Sequence, residues 1–249
     1  MHFGLTDDQR ALQETARRYA REKLLPSYQT REAEAKFDRD MMLDMGSLGL
    51  IAPDLPEKFG GLGVDSVTAG ILIEEIAYAD LSVSYVQLLT MLCAGVLARH
   101  AAEDLAAEVV PQYLDGRKLI ALGLTEPRGG SDAANLTLRA RRDGNSYILN
   151  GEKASISAAD QADDCLVAAR TGEVSGGSIW FEDVQVPADR MVGAEGAGFS
   201  KVMQGFDYSR ALIGLMCVGP AQASLDETWP YTLERQAFGR PIAEFQGVT

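Results

Sequence analysis

Four stretches of the sequence carry side chains that can do chemistry. The first is Leu122-Gly-Leu-Thr-Glu-Pro-Arg-Gly-Gly-Ser-Asp132. Thr125 and Ser131 supply hydroxyls, and Gly129 and Gly130 let backbone N–H groups come close to a ligand. Such a loop holds a phosphate or the polar edge of a planar ring; the same residues also serve as a plain Pro-Gly turn between strands. The second is Asn150-Gly-Glu-Lys153, followed by Ser155 and Ser157, although Asn-Gly is a hairpin signal in its own right. The third is Phe206-Asp-Tyr-Ser-Arg210. Asp207 and Arg210 are three apart and share a helix face, where they either meet a ligand or form an exposed ion pair of little energetic weight. The fourth is Glu234-Arg-Gln-Ala-Phe-Gly-Arg-Pro-Ile242, in which Arg235 is available to an anion.

Other chemistries lack the residues they need. There are two histidines, His2 and His100, and three scattered cysteines, Cys93, Cys165 and Cys217, with no CxxC pair. Zinc sites, histidine triads and disulfide frameworks are therefore not expected, no metal is expected, and a reducing cytoplasmic setting fits. The net charge of −13 argues against a nucleic-acid backbone as partner, which calls for a basic face. Leu5 is followed at once by Asp7, Asp8 and Arg10, so no signal peptide is read. The most apolar run, Val83 to Ala98, is shorter than the roughly 20 residues a bilayer requires and reads as a buried helix; no membrane partner is expected.

The elements that must position these residues fall into three groups. Residues 1–118 read as a helical domain. Thr6 and Gln9 form a capping box before a helix that ends at Pro26, and a second helix covers 38–48. An irregular stretch holds Pro53, Pro56 and Gly60, Gly61 and Gly63. Ser66 to Ala79 is helical, the apolar run follows, and a last helix lies near 101–114, started or interrupted by Pro111. Residues 119–192 change texture. Short strand-like segments at 137–141, 147–149, 165–169 and 179–181, separated by Asp143-Gly144 and Asn150-Gly151, predict a small antiparallel β domain. From 193 to 249 the helical period returns, with one helix over 198–223 and another over 226–234. The class is α+β: an N-terminal helical domain, a central β domain and part of a C-terminal helical bundle.

Taken together and in order, these segments resemble the acyl-CoA dehydrogenase flavoprotein family. Leu124-Thr-Glu-Pro-Arg-Gly-Gly-Ser-Asp132 is similar to its first signature. Asn150 to Lys153, Phe181-Glu-Asp-Val-Gln-Val-Pro187, Gly193-Ala-Glu-Gly-Ala-Gly-Phe199 and Arg235 to Ile242 match later landmarks, and Glu74-Glu-Ile-Ala-Tyr-Ala-Asp80 matches the N-terminal domain. The resemblance spans essentially the whole chain. It implies FAD between the β domain and the bundle, a homo-oligomer (tetramer or dimer), an acyl-CoA thioester substrate and an electron-transferring flavoprotein as electron acceptor. In such a reaction a carboxylate takes the Cα proton and the Cβ hydride passes to the flavin, which requires a polarised thioester and a base kept dry and close. By the same resemblance Leu122, Leu124, Thr125, Gly130, Ser131, Ser155 and Ser157 line the flavin. Ser131, Asp207, Tyr208 and Arg210 face the acyl-CoA, and Arg235, Ala237, Phe238 and Gln246 touch FAD across subunits.

The sequence departs from that family at three places. Ser155 stands where many members have Trp, and Ala154 to Asp163 resembles the branch acting on alicyclic thioesters such as cyclohexanecarboxyl-CoA. The β domain is short, because Arg170 to Ser178 runs almost directly into Ile179 to Asp183. The family's usual catalytic glutamate belongs to a segment beyond Thr249, and where some members carry it on the long helix this chain has Ser209. Asp80 is the remaining candidate base, since the alicyclic branch uses an N-terminal-domain aspartate; Asp80 also reads as an ordinary helix-end carboxylate. Two functions stay open: an FAD-dependent acyl-CoA dehydrogenase, or a family-derived binding or assembly subunit without catalysis.

Overall fold

The computed structural model describes residues 4–171 and 181–247. Helices dominate the first part: α1 Asp7–Tyr19, α2 Tyr28–Glu34, α3 Arg39–Ser47, α4 Ser66–Ala79, α5 Leu81–His100 and α6 Glu103–Leu114. Their starts are set by side-chain caps. The Thr6–Gln9 box caps α1, Asp38 caps α3, Asp65 caps α4 through the Thr68 N–H and Asp80 caps α5 through the Val83 N–H at 3.0 Å. Each satisfies an N–H that the helix itself leaves free.

The run that begins with α1 continues as a π turn over Ala20–Leu24 and a 3-10 turn over Leu25–Ser27. Pro26 sits in the first turn of that 3-10 segment, where a missing N–H costs little, and α2 follows it. Pro111 neither starts nor interrupts α6. It lies in the last turn, and the helix begins a full two turns earlier at Glu103.

The apolar run is longer than expected. α5 has 20 residues, enough by length and composition to cross a membrane, but 78% of its most apolar window is buried inside the protein. Val83, Leu88, Leu89, Leu92 and Leu97 are spent on the core. That is where its hydrophobicity is accounted for.

Strands β1 Ile120–Gly123, β2 Arg139–Asp143, β3 Ser146–Gly151, β4 Asp164–Val167 and β5 Phe181–Pro187 follow. The expected antiparallel domain is half right. β2, β3 and β5 form an antiparallel sheet, joined by the Asp143-Gly144 turn. β1 and β4 pair in parallel, with Ile120 opposite Asp164 and Gly123 opposite Val167. A parallel pair needs a long crossover, and the whole 124–163 segment, including the β2–β3 hairpin, is that crossover. Ile179 and Trp180 of the strand expected over 179–181 lie outside the described residues; Phe181 opens β5.

The two C-terminal helices expected over 198–223 and 226–234 are one helix, α7 Gly198–Glu234, of 37 residues. Bonds four residues apart carry it across the expected break: Ser224 donates to the Pro220 carbonyl (2.8 Å) and Gln222 to Asp226 (2.7 Å). Its buried face is Val202, Gly205, Ser209, Leu212, Met216 and Gly219. It packs on α4 and α5, and Leu212 and Met216 join the main core. The approach to α4 is close at Gly219, where an added Cβ would lie 2.5 Å from the Glu74 carbonyl oxygen. A short β6–β7 hairpin, Gln236–Ala237 with Arg240–Pro241, follows α7.

Candidate functional site

A cavity of ≈ 160 Å³ opens where the helical domain, the β domain and α7 meet. α5 gives one wall, with Tyr85, Leu88, Leu89 and Leu92. The end of β1 and the chain beyond it give Leu122, Leu124 and Thr125. The segment after β3 gives Ser155 and Ser157. α7 gives Phe206, Ser209 and Ile213, which recur at three- and four-residue spacing on one face. The lining is an apolar bed with hydroxyls spaced around it, the usual character of a small-molecule site. Across it, Ser157 Oγ lies 3.4 Å from the Tyr85 hydroxyl.

Five residues read from the sequence as flavin-lining, Leu122, Leu124, Thr125, Ser155 and Ser157, therefore come together from two separate segments. Gly130 stands behind Thr125: an added Cβ there would sit 3.5 Å from Thr125 Cγ2. Glu126-Pro-Arg-Gly129 closes as a turn, with the Gly129 N–H donating to the Glu126 carbonyl at 3.0 Å. Its incoming limb lines the cavity, while Ser131 is exposed and does not.

The segment from 153 to 158 is held in an uncommon shape. Ser155 and Ala158 have φ of 54° and 58°, a region L side chains adopt only where their surroundings enforce it. The Ala154 N–H donates to the Thr125 carbonyl at 2.9 Å, so the two hydroxyl-bearing segments are tied backbone to backbone.

Behind them lies a buried ion pair that the sequence reading missed. Lys153 Nζ is 2.8 Å from Glu126 Oε1, with 1% and 4% of the two side chains exposed. Lys153 also donates to the Leu124 carbonyl (3.1 Å). Glu126 accepts from the Thr137 and Leu138 N–H groups at 2.7 and 3.0 Å. Burial by itself raises a carboxyl's pKa, but the bonds from Lys153, Thr137 and Leu138 outweigh it and hold Glu126 at about 2. Both residues were in segments singled out above. No spacing rule links positions 27 apart in irregular chain, so their pairing had no signal.

The other expected site residues lie elsewhere. Asp207 and Arg210 are exposed and bonded to each other at 2.9 Å, the ion pair their spacing allows. Tyr208 is turned inward. It packs against the main core, and burial together with the facing Asp54 carboxylate pushes its hydroxyl pKa up. One residue along a helix is a turn of about 100°, so with Asp207 outward Tyr208 is carried inward. Arg235, Ala237, Phe238 and Gln246 lie beyond the end of α7 and do not line the cavity. Phe238 is 97% exposed.

Asp80 is not brought to the cavity either. It joins α4 to α5, caps α5, and accepts Arg31 Nη2 at 2.7 Å and Nε at 2.9 Å, with 7% of its side chain exposed. That is the helix-end role, reinforced by an ion pair. Among the described residues the cavity lining contains no carboxylate, and no cluster of potential metal ligands is present.

The sequence profile described as acyl-CoA dehydrogenase, N-terminal domain, matches residues 6–117. The profile for the middle domain matches 121–198, and that for the C-terminal domain 196–249. Isobutyryl-CoA dehydrogenase of Dictyostelium discoideum is 32% identical over 277 residues, covering 98% of this chain and 67% of that protein. The matched span exceeds the 249 residues of this chain, so that relative carries residues within it that have no counterpart here. Butyryl-CoA dehydrogenase from Megasphaera elsdenii superposes with a TM-score of 0.91 at 29% identity, covering 100% of this chain and 74% of that one. A glutaryl-CoA dehydrogenase from Mycobacterium smegmatis in complex with FADH2 superposes with a TM-score of 0.89 at 26% identity, covering 98% and 70%.

Proposed function

The chain belongs to the acyl-CoA dehydrogenase family, and on that premise we propose that its cavity takes FAD and the acyl end of a CoA thioester for α,β-dehydrogenation. The observation that carries this reading is the convergence of Leu122, Leu124, Thr125, Ser155 and Ser157 on one cavity that α5 and α7 close with apolar side chains. The donor set suits the cofactor: hydroxyls serve the polar edge of a planar ring, and leucines serve its face. When bound, FAD supplies the hydride acceptor. The protein's part is to orient and to dry. Thr125, Ser155 and Ser157 offer hydrogen bonds at the rim. Leu88, Leu89, Leu92, Phe206 and Ile213 exclude water from the acyl carbons, which strengthens every polar contact made inside.

The family resemblance adds an electron-transferring flavoprotein as electron acceptor and a homo-oligomer in which Arg235, Ala237, Phe238 and Gln246 meet a neighbouring subunit's cofactor. Their exposure supports that role. A second reading rests on a separate observation. No carboxylate lines the described cavity, and Ser209, where a base has been expected, cannot take a proton from an α C–H. On this reading the chain binds flavin and thioester without turnover.

One experiment separates them. The purified protein is characterised by intact mass and visible spectrum, then mixed anaerobically with isobutyryl-, butyryl- or cyclohexanecarboxyl-CoA. Bleaching of bound flavin supports dehydrogenation. A yellow protein whose spectrum shifts without bleaching supports the binding reading, and a colourless protein that takes up no added FAD sinks both.

A further inference from the structure

We propose that the buried Glu126–Lys153 pair is a positioning device for the cofactor-facing backbone, and that it sets the affinity for FAD without touching it. The proposal rests on the cofactor reading above. Neither side chain lines the cavity. Each is instead fastened to the chain that does. Lys153 grips the carbonyl of Leu124 at 3.1 Å and stands two residues before Ser155. Glu126 follows Thr125 directly and is anchored to the start of the next strand by the N–H groups of Thr137 and Leu138. The 2.8 Å ion pair thus closes a loop of contacts: 124–126 to 153, 153 to 155–157, and 154 back to 125 through the Ala154–Thr125 backbone bond.

Fold stability alone does not account for such a pair. Buried ion pairs contribute little net stability compared with apolar residues of the same size, because desolvation offsets the attraction. What apolar side chains cannot supply is direction. Here several directional bonds converge on the two segments whose hydroxyls face the cavity, and one of those segments holds Ser155 at φ 54°. A residue in that conformation relaxes when its neighbours cease to enforce it. Relaxation moves Ser155 and Ser157 relative to Thr125, and sites that bind by orientation lose affinity steeply with such shifts.

The test is an E126Q/K153M double variant, which replaces the charged pair by a neutral one, beside T137V, which removes the further bond that the Thr137 hydroxyl donates to Glu126 Oε2 without changing shape. FAD dissociation constants and visible circular dichroism of the bound flavin are measured on protein whose folding is checked by thermal melting. The double variant is expected to fold and to bind FAD about tenfold to a hundredfold more weakly, with an altered flavin dichroism. T137V is expected to lose about two- to tenfold, the worth of one hydrogen bond. A folded double variant with parental affinity and dichroism overturns the proposal. A double variant that does not fold overturns it too if T137V binds FAD as tightly as the parent, since the pair is then a requirement of the fold. Failure of the parent itself to take up FAD strikes the cofactor reading instead, so the two failures are distinguishable.

Discussion

Thr125 serves the site twice, with its side chain in the cavity lining and its carbonyl in the bond from Ala154. Only the first is lost in T125V, so FAD affinity is expected to fall by about two- to tenfold, the worth of one hydrogen bond. S131A, at an exposed position outside the lining, is expected to change it less; equal losses in the two variants, measured by fluorescence titration, would refute the placement. Asp80 makes a sharper contrast. Asparagine caps a helix nearly as well as aspartate, so D80N keeps the start of α5 and loses the charge facing Arg31. Stability is expected to drop by about 1.5–3 kcal/mol while flavin reduction by acyl-CoA stays at the parental rate. A fall of about 10²–10⁴ in that rate would restore Asp80 as the base. Glu126 gives the pH dependence. Its folded pKa of about 2 lies below the ~4.3 of a free glutamate, so the folded state holds the charge after the unfolded state has begun to lose it. The stabilisation is complete above about pH 5 and is lost as the pH falls toward 2. Urea denaturation of E126Q should show a shallower decline across that window than the parent; parallel curves would exclude the carboxylate as the cause.

At the scale of elements, α7 depends on a residue with no side chain. An alanine at Gly219 places its Cβ 2.5 Å from the Glu74 carbonyl oxygen and 2.6 Å from the Tyr78 nitrogen, both backbone atoms that cannot swing aside. G219A is expected to cost about 1–3 kcal/mol, read from chemical denaturation; a neutral result would mean that the helices part without penalty. Elements like this were legible in the sequence where the physics is local. Thr6 with Gln9 and Asp143-Gly144 between β2 and β3 act within four residues, and each did what its type dictates. The parallel β1–β4 pair was not legible, because it joins residues 44 apart, such as Ile120 and Asp164, and neither strand's pattern names its partner. The continuity of α7 was not legible at 224–225, where the two expected helices were separated; packing on α4 and the i,i+4 side-chain bonds of Gln222 and Ser224 carry the helix through. The site divides in the same way. Its hydroxyls were visible as residue types in ordered motifs, whereas the ion pair beneath them exists only through tertiary closure.

For the molecule as a whole, the described surface is uneven. Leu225, Trp229, Tyr231 and Leu233 on α7 are more than half exposed, and Phe238 on the adjoining hairpin is 97% exposed. Leu225, Trp229 and Leu233, spaced four apart, share one face of the helix; exposed apolar surface of this kind marks an interaction face, in line with the proposed subunit contact around Arg235 and Phe238. R235E is expected to shift the oligomer distribution toward smaller species in sedimentation velocity and to reduce flavin content in parallel. An unchanged oligomer with full flavin would count against the contact.

The cavity draws its walls from Tyr85 to Leu92, Leu122 to Thr125, Ser155 to Ser157 and Phe206 to Ile213. Translation delivers these one after another. At the ~5–20 residues per second of ribosomal synthesis, roughly 6–24 s separate the emergence of Leu92 from that of Ile213. Throughout that interval the leucine face of α5 waits without its cover, and the hydroxyl rim has nothing to close against. On the cofactor reading, the site is complete only after this part of α7 has emerged. The nascent chain passes through a stage in which this apolar surface is sticky and open, the stage at which a chaperone would have the greatest effect on yield.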